Sequence, residues 1–187
     1  MTVVDRVFER LGKGATEDYV GEAVTQLDHA LQCAALAARA GLPEDEVLAA
    51  LLHDVGHLDA PASAPRMAEL GVVDHERLGA RFLASLGAPE RLCRLVAGHV
   101  QAKRYLVTTR PGYVARLSAA SLGTLAFQGG PMSAAEVEVF DADPLRDAYL
   151  RLRSYDEAAK VPGAKVPDLT TYGDALRRVF SAPAESG

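Results

Sequence analysis

The sequence is poor in cysteine, has no long apolar run and shows no strand-like alternation, and each absence removes a class of protein. Cys33 and Cys93 are too few for a thiolate metal site or a disulfide framework. No apolar stretch approaches the roughly 20 residues that a membrane-spanning helix needs. The opening Met1-Thr2-Val3-Val4-Asp5-Arg6 lacks the basic-then-apolar layout of a signal peptide, so a reducing cytoplasm is the expected compartment. Acidic residues outnumber basic ones and the net charge is −5, which speaks against nucleic acid or an anionic membrane as partner. A small basic pocket for one anionic ligand is still allowed. With no period-two alternation and no internal repeat, the fold class is all-α. At 187 residues, 49% of them apolar, the chain is expected to form one domain with a substantial core over 1–180, and 181–187 a frayed tail.

Helical periodicity carries the rest of the chain. Residues 2–12 place Val3, Val4, Val7, Phe8 and Leu11 on one face. Thr25, with Asp28 as capping partner, opens a helix over roughly 26–40. Pro43 and the acidic Glu44-Asp45-Glu46 begin another that runs through Leu51 and Leu52 into His53-Asp54, with Gly56 as its C-terminal exit. Residues 59–73, with two prolines, Pro61 and Pro65, read as a surface loop and a candidate to lie near the site. Asp74 is the predicted N-cap of a helix carrying His75. A long helix is predicted over about 90–107, and Pro111 opens one through Tyr113, Leu117, Ser121 and Leu125. Ser133 and Glu136 form a capping box, Pro144 starts a helix reaching Asp156, and a last one covers 172–180.

Histidine is also scarce, and its placement is informative. All five, His29, His53, His57, His75 and His99, lie in one window, and the C-terminal part has none. The apolar run Ala49-Ala50-Leu51-Leu52 ends abruptly in His53-Asp54-Val55-Gly56-His57, side chains that are costly to bury without a partner. Neighbours on a helix diverge by about 100°, so His53 and Asp54 do not chelate one ion comfortably in mid-helix. A carboxylate can instead bridge two ions while the imidazole binds one. His29, His75 and His99 fall on separate predicted helices, able to converge on a centre as ligands do in helical bundles. Asp156 on a late helix completes a set of nitrogen and oxygen donors suited to iron, manganese or zinc. Any one histidine alone is better explained as a satisfied core or surface group; the set is not. His57, past the helix end, is a candidate donor toward substrate. Lys103 lies four residues after His99, and Arg153 three before Asp156, so both face the same centre and could seat a doubly charged anion. Arg104 and Lys160 read as solvated surface charges, and Cys33 as core.

The order His…His-Asp…His…His…Asp resembles the HD-domain superfamily of helical metalloenzymes over nearly the whole chain. Four stretches, Tyr19-Val20-Gly21-Glu22, Thr25 to Gln32, His99 to Leu106 and Phe127 to Ser133, are similar to its PhnZ-type branch of mixed-valent di-iron oxygenases. The resemblance implies a single HD domain with a di-metal site in its core, holding two iron ions as Fe(II)/Fe(III). His29, His53, Asp54 and Asp156 would hold one iron, and Asp54, His75 and His99 the other. Tyr19 would occupy a metal until substrate displaces it, and Glu22 would reach a cationic amine on the substrate. His57, Lys103, Ser121, Gln128 and Arg153 would hold the phosphonate and its hydroxyl. Asp54, Tyr19 and His57 are thereby implied as catalytic. The implied reaction cleaves the C–P bond of a 1-hydroxyalkylphosphonate with O2 as cosubstrate, releasing phosphate and a carboxylate such as glycine. The substrate could be 2-amino-1-hydroxyethylphosphonate or its N-trimethyl analogue, made by an upstream 2-oxoglutarate-dependent hydroxylase. The rival expectations are an HD phosphohydrolase acting on a nucleotide or phosphoester, and a non-catalytic HD module.

Overall fold

A computed structural model describes residues 1–19, 22–58, 60–61 and 63–182. Along them run the helices α1 (Val3–Lys13), α2 (Gln26–Arg39), α3 (Glu44–Leu52), α4 (His75–Ser85) and α5 (Glu90–Thr109). There follow α6 (Ala119–Phe127), α7 (Ala134–Asp141), α8 (Arg146–Ala158) and α9 (Gly173–Ser181). Among the described residues the only β pairings are two isolated bridges, Asp18 with Thr25 and Arg66 with Val72. The all-α expectation holds. The predicted tail falls mostly on 183–187, outside the described residues.

Local chemistry sets the helix starts. In each of three capping boxes, Thr2 with Asp5, Thr25 with Asp28 and Ser133 with Glu136, a hydroxyl accepts from the third backbone N–H. The carboxylate of the third residue in turn accepts from the capping residue's own N–H, so two otherwise unpaired donors are satisfied together. Asp74 occupies the predicted capping position of α4, but its backbone is left-handed (φ 58°) and its side chain makes no capping bond.

The centre of the molecule is α3, with α2, α5 and α8 packed around it. Seven of its nine residues, Glu46 through Leu52, are buried, so it is enclosed on every side rather than amphipathic. Its buried Glu46 is held by Arg91 and by Arg151, the latter with both nitrogens at 2.8–3.0 Å, which satisfies the charge. Small residues on α2 (Ala30, Ala34, Ala37) and Gly98 on α5 let neighbours close in. A Cβ at Gly98 would lie 2.4 Å from the Tyr149 ring of α8. One continuous core reaches from Val4 on α1 to Leu176 on α9.

Three expectations need correction. The helix predicted from Pro111 is broken: a 3-10 turn at Tyr113–Arg116 precedes α6, which Ser118 caps by accepting from the Ser121 N–H. Gly56 is not a left-handed helix exit. The helix ends at Leu52, and His53 and Asp54 lie in tightened turns beyond it. Gly56 is required because the chain there passes backbone to backbone over the start of α4. Finally, the predicted 59–73 loop is not all at the surface, since within 63–73 Met67 and Val72 are buried.

Candidate metal centre and cavity

The helix ends at Leu52 and His53 keeps a right-handed helical backbone (φ −58°, ψ −35°), yet the two side chains reach one another, with His53 Nε2 and Asp54 Oδ2 3.3 Å apart. Joining them are His29 Nε2 from α2, 3.2 Å from His53 Nε2, and Asp156 Oδ1 from α8, 3.4 Å from His29 Nε2. The other carboxylate oxygen, Asp54 Oδ1, faces His75 Nε2 of α4 at 3.3 Å and His99 Nε2 of α5 at 3.5 Å. Those two nitrogens are 3.0 Å apart. Asp54 therefore sits between two donor groups with one oxygen in each.

The imidazoles are oriented by backbone carbonyls. His29 Nδ1 lies 2.9 Å from Ala159 O, His53 Nδ1 3.0 Å from Ala50 O, His75 Nδ1 3.3 Å from Val72 O and His99 Nδ1 2.8 Å from Val96 O. A carbonyl only accepts, so each Nδ1 carries a proton and each Nε2 lone pair points inward. Two pairs of inward lone pairs at 3.0–3.2 Å repel unless a proton or a metal cation lies between them. Charge leads to the same conclusion. Burial works against ionised Asp54 and Asp156, yet the surrounding imidazoles, and for Asp156 the Arg153 guanidinium, hold both well below the usual carboxylate range. Burial likewise opposes a charged His53, but the Asp54 and Asp156 carboxylates raise it to about 9, so a proton takes up the charge deficit of the bare cluster. These donors fit two divalent or trivalent cations. Cys33 Sγ is 3.7 Å from His29 Nε2 and groups with His29 and His53, and burial and the two carboxylates hold its thiol pKa well above the usual thiol value.

The centre opens into a narrow cavity of about 60 Å³, walled by α5, α6, α8 and the Met67–Leu70 segment. Lys103 and Arg153, both buried, lie on its wall as their spacing predicts. Lys103 Nζ donates to Ser121 O (3.2 Å) and Thr124 Oγ1 (2.7 Å), and burial, reinforced by Arg153, lowers its pKa to about 7. Arg153 spends Nη1 on Asp156 Oδ2 (2.5 Å) and Nε on Tyr113 OH and Glu157, so it orients a donor carboxylate. Among the described residues its Nη2 has only the Ser121 hydroxyl, at 3.5 Å. His57 stacks on His75 with ring centroids 3.9 Å apart. Its Nδ1 accepts from the Val72 N–H, so it is neutral and presents Nε2–H; burial and the neighbouring imidazoles keep its pKa well below the usual histidine value. Gln128 lines the cavity with a buried Oε1 that has no partner among the described residues. Tyr19 stacks on His29, its hydroxyl 3.4 Å from Asp156 Oδ1, and burial beside two carboxylates raises its pKa well above 10.

Other charges sit differently from the sequence reading. Arg104 is buried, not solvated: it donates to Gly130 O and Gln101 Oε1 and pairs with Glu136, pinning the 129–130 turn. Lys160 is not a surface charge either. It lines the cavity and donates to Glu22 Oε1 at 2.6 Å. It lies four residues after Asp156, the spacing that marks Lys103, so the signal was available. Thr124, the partner of Lys103, carried no such signal.

The family model for the HD domain matches residues 27–145, which include His29, His53, Asp54, His75 and His99. The chain is 38% identical to a [1-hydroxy-2-(trimethylamino)ethyl]phosphonate dioxygenase (glycine-betaine-forming) of Leisingera caerulea, over 92% of this chain and 86% of that one. It is also 38% identical to a hydroxymethylphosphonate dioxygenase of Gimesia maris, over 83% and 78% of the two chains. An uncharacterized protein of Acanthamoeba polyphaga mimivirus is 37% identical over 97% and 82%. By these matches, together with a helical fold that gathers the histidines and Asp54, the chain belongs to the HD-domain family, in its PhnZ-type branch.

Proposed function

We propose that this chain is a di-iron dioxygenase that cleaves the C–P bond of a 1-hydroxyalkylphosphonate, yielding phosphate and a carboxylate. The observation that carries this reading is the position of Asp54 between two donor groups, on the floor of a cavity whose wall presents buried cations. The naming of two relatives as phosphonate dioxygenases supports the same chemistry. His29, His53, Asp54 and Asp156 would hold one ion, and Asp54, His75 and His99 the other. Iron bound there would supply redox chemistry and a seat for O2. Lys103 Nζ and Arg153 Nη2 would take the phosphonate oxygens, and His57 Nε2–H and Gln128 would fix the C1 hydroxyl. Tyr19, in van der Waals contact with His29, closes the approach to the first group until substrate enters. The stoichiometry needs no outside reductant. The C1–P and C1–H bonds break, C1 becomes a carboxylate, and one O2 accepts the four electrons. The C1 hydroxyl must be supplied beforehand, by a hydroxylase of the 2-oxoglutarate-dependent class.

Iron-loaded protein should release one phosphate per O2 consumed from a 1-hydroxyalkylphosphonate, and none under anaerobic conditions. Phosphoester hydrolysis supported by a redox-inert metal without O2 would instead assign the site to a phosphohydrolase.

Lys103 gives a pH signature. Below about pH 7 its ammonium is charged and binds the phosphonate; above, the free protein loses that charge, so kcat/KM should fall as pH rises. Bound metal cations would move the window lower, and bound substrate would move it higher, so kcat should hold to higher pH than kcat/KM. Lys103→Ala should keep its metal, lose about 10- to 100-fold in phosphonate affinity and flatten this limb. Unchanged KM and an unchanged profile in that variant would remove Lys103 from the site.

A further inference from the structure

The Lys160–Glu22 pair bears on which phosphonate this cavity accepts, a question that rests on the reading above. A substrate with a cationic end needs an anion or an aromatic face to receive it. Glu22 offers the anion and Tyr19 the face, and Lys160 already engages both. Its Nζ donates to Glu22 Oε1 at 2.6 Å and to Ser118 Oγ at 3.1 Å, and lies 5.5 Å from the centroid of the Tyr19 ring. Both partners are largely enclosed, with side-chain exposures of 14% for Lys160 and 16% for Glu22. Burial alone would favour a neutral Glu22, but the hydrogen bonds from Lys160 and Ser118 hold its pKa below the usual value, so the carboxylate is ionised and committed to Lys160. Among the described residues that form the cavity wall, Lys160 is present and Glu22 is not. An incoming substrate therefore meets an ammonium at this end, with its countercharge behind it.

We propose that Lys160 is an internal cation filling the place of a substrate ammonium, and that the site selects a 1-hydroxyalkylphosphonate whose far end is short and uncharged. An ammonium or trimethylammonium group would be brought beside Lys160 with no free anion to answer it. The neutral pair makes no demand for an anionic end either. Lys160 acts on specificity and not on the reacting bonds.

The test compares hydroxymethylphosphonate, 2-amino-1-hydroxyethylphosphonate and its N-trimethyl analogue on the iron-loaded protein. Anaerobic calorimetry reads binding, and phosphate release under air reads kcat/KM. The wild type should prefer hydroxymethylphosphonate by roughly tenfold or more in both readouts. Lys160→Met should free Glu22 and the Tyr19 face and shift the ratio toward the cationic substrates by a similar factor. Glu22→Gln, which leaves Lys160 without its countercharge, should keep or sharpen the discrimination. A wild type that favours either cationic substrate overturns the inference even if no variant folds, as does a ratio unmoved by Lys160→Met, and both leave the dioxygenase reading standing. Neither binding nor turnover of any of the three phosphonates overturns that reading, and this inference with it.

Discussion

Asp54→Ala should lose metal at both positions and, with it, at least about 100-fold in phosphate release, since even outer hydrogen-bond partners of metal ligands act on that scale. The reason is geometric. Asp54 Oδ1 lies 3.3 and 3.5 Å from the Nε2 atoms of His75 and His99, while Oδ2 lies 3.3 and 3.8 Å from those of His53 and His29. No other carboxylate oxygen lies within salt-bridge distance of both imidazole pairs among the described residues. Without Asp54, the second group is two imidazoles and no anion. Metal content after reconstitution is one readout, and the rise in Tm on adding metal is another, because an ion that binds only the native state stabilises it by mass action. Asp54→Asn keeps one carbonyl oxygen and should serve one group at most. Full metal content and normal turnover in Asp54→Ala would remove the bridge from the mechanism.

Gly56→Ala is expected to destabilise the fold by about 3 kcal/mol or more, a large value for one methyl group. The added Cβ would stand 1.9 Å from the His75 carbonyl oxygen and 2.6 Å from the Gly79 nitrogen, both backbone atoms that side-chain rotation cannot move. Relief requires the turn after Asp54 to part from α4, and α4 carries His75. The variant should therefore lose metal at the His75–His99 group before the His29–His53 group. Gly79→Ala is the control. Its Cβ would lie 3.2 Å from Gly56 N and Val55 Cγ1 and 3.3 Å from Val96 Cγ1, tight contacts that a shift of a few tenths of an ångström relieves, so a loss clearly smaller than that of Gly56→Ala is expected. Denaturant midpoints separate the two, and equal midpoints would show that the close approach of these backbones is not a constraint.

Much of this was legible along the chain because local rules carried it. The capping boxes at Thr25 and Ser133, the acidic start of α3 and the helical spacing of apolar residues each need only a few neighbouring residues, and those helices lie where the sequence places them. The break between Tyr113–Arg116 and α6 was missed because the apolar spacing continues across it. Ser118, the cap that starts α6, lies inside that spacing. Among site residues, Lys103 and Arg153 were found by their turn-distance from His99 and Asp156. Lys160 stands four residues after Asp156, but a lone lysine reads as a solvated surface charge until the packing that encloses it beside Glu22 is known.

The sequence by itself determined the helical class, the inventory of nitrogen and oxygen donors, and the pairing of a histidine with an aspartate at the end of a buried apolar run. Those follow from composition and from contacts three or four residues apart. The tertiary structure decided which oxygen of Asp54 faces which imidazoles, that the Ala159 carbonyl turns His29 Nε2 inward, and that Glu22 is already paired with Lys160. Each depends on atoms far apart in the chain: Ala159 against His29, Gly56 against His75, Lys160 against Glu22. Their approach is fixed by packing and burial, which the order of residues constrains only through the fold as a whole.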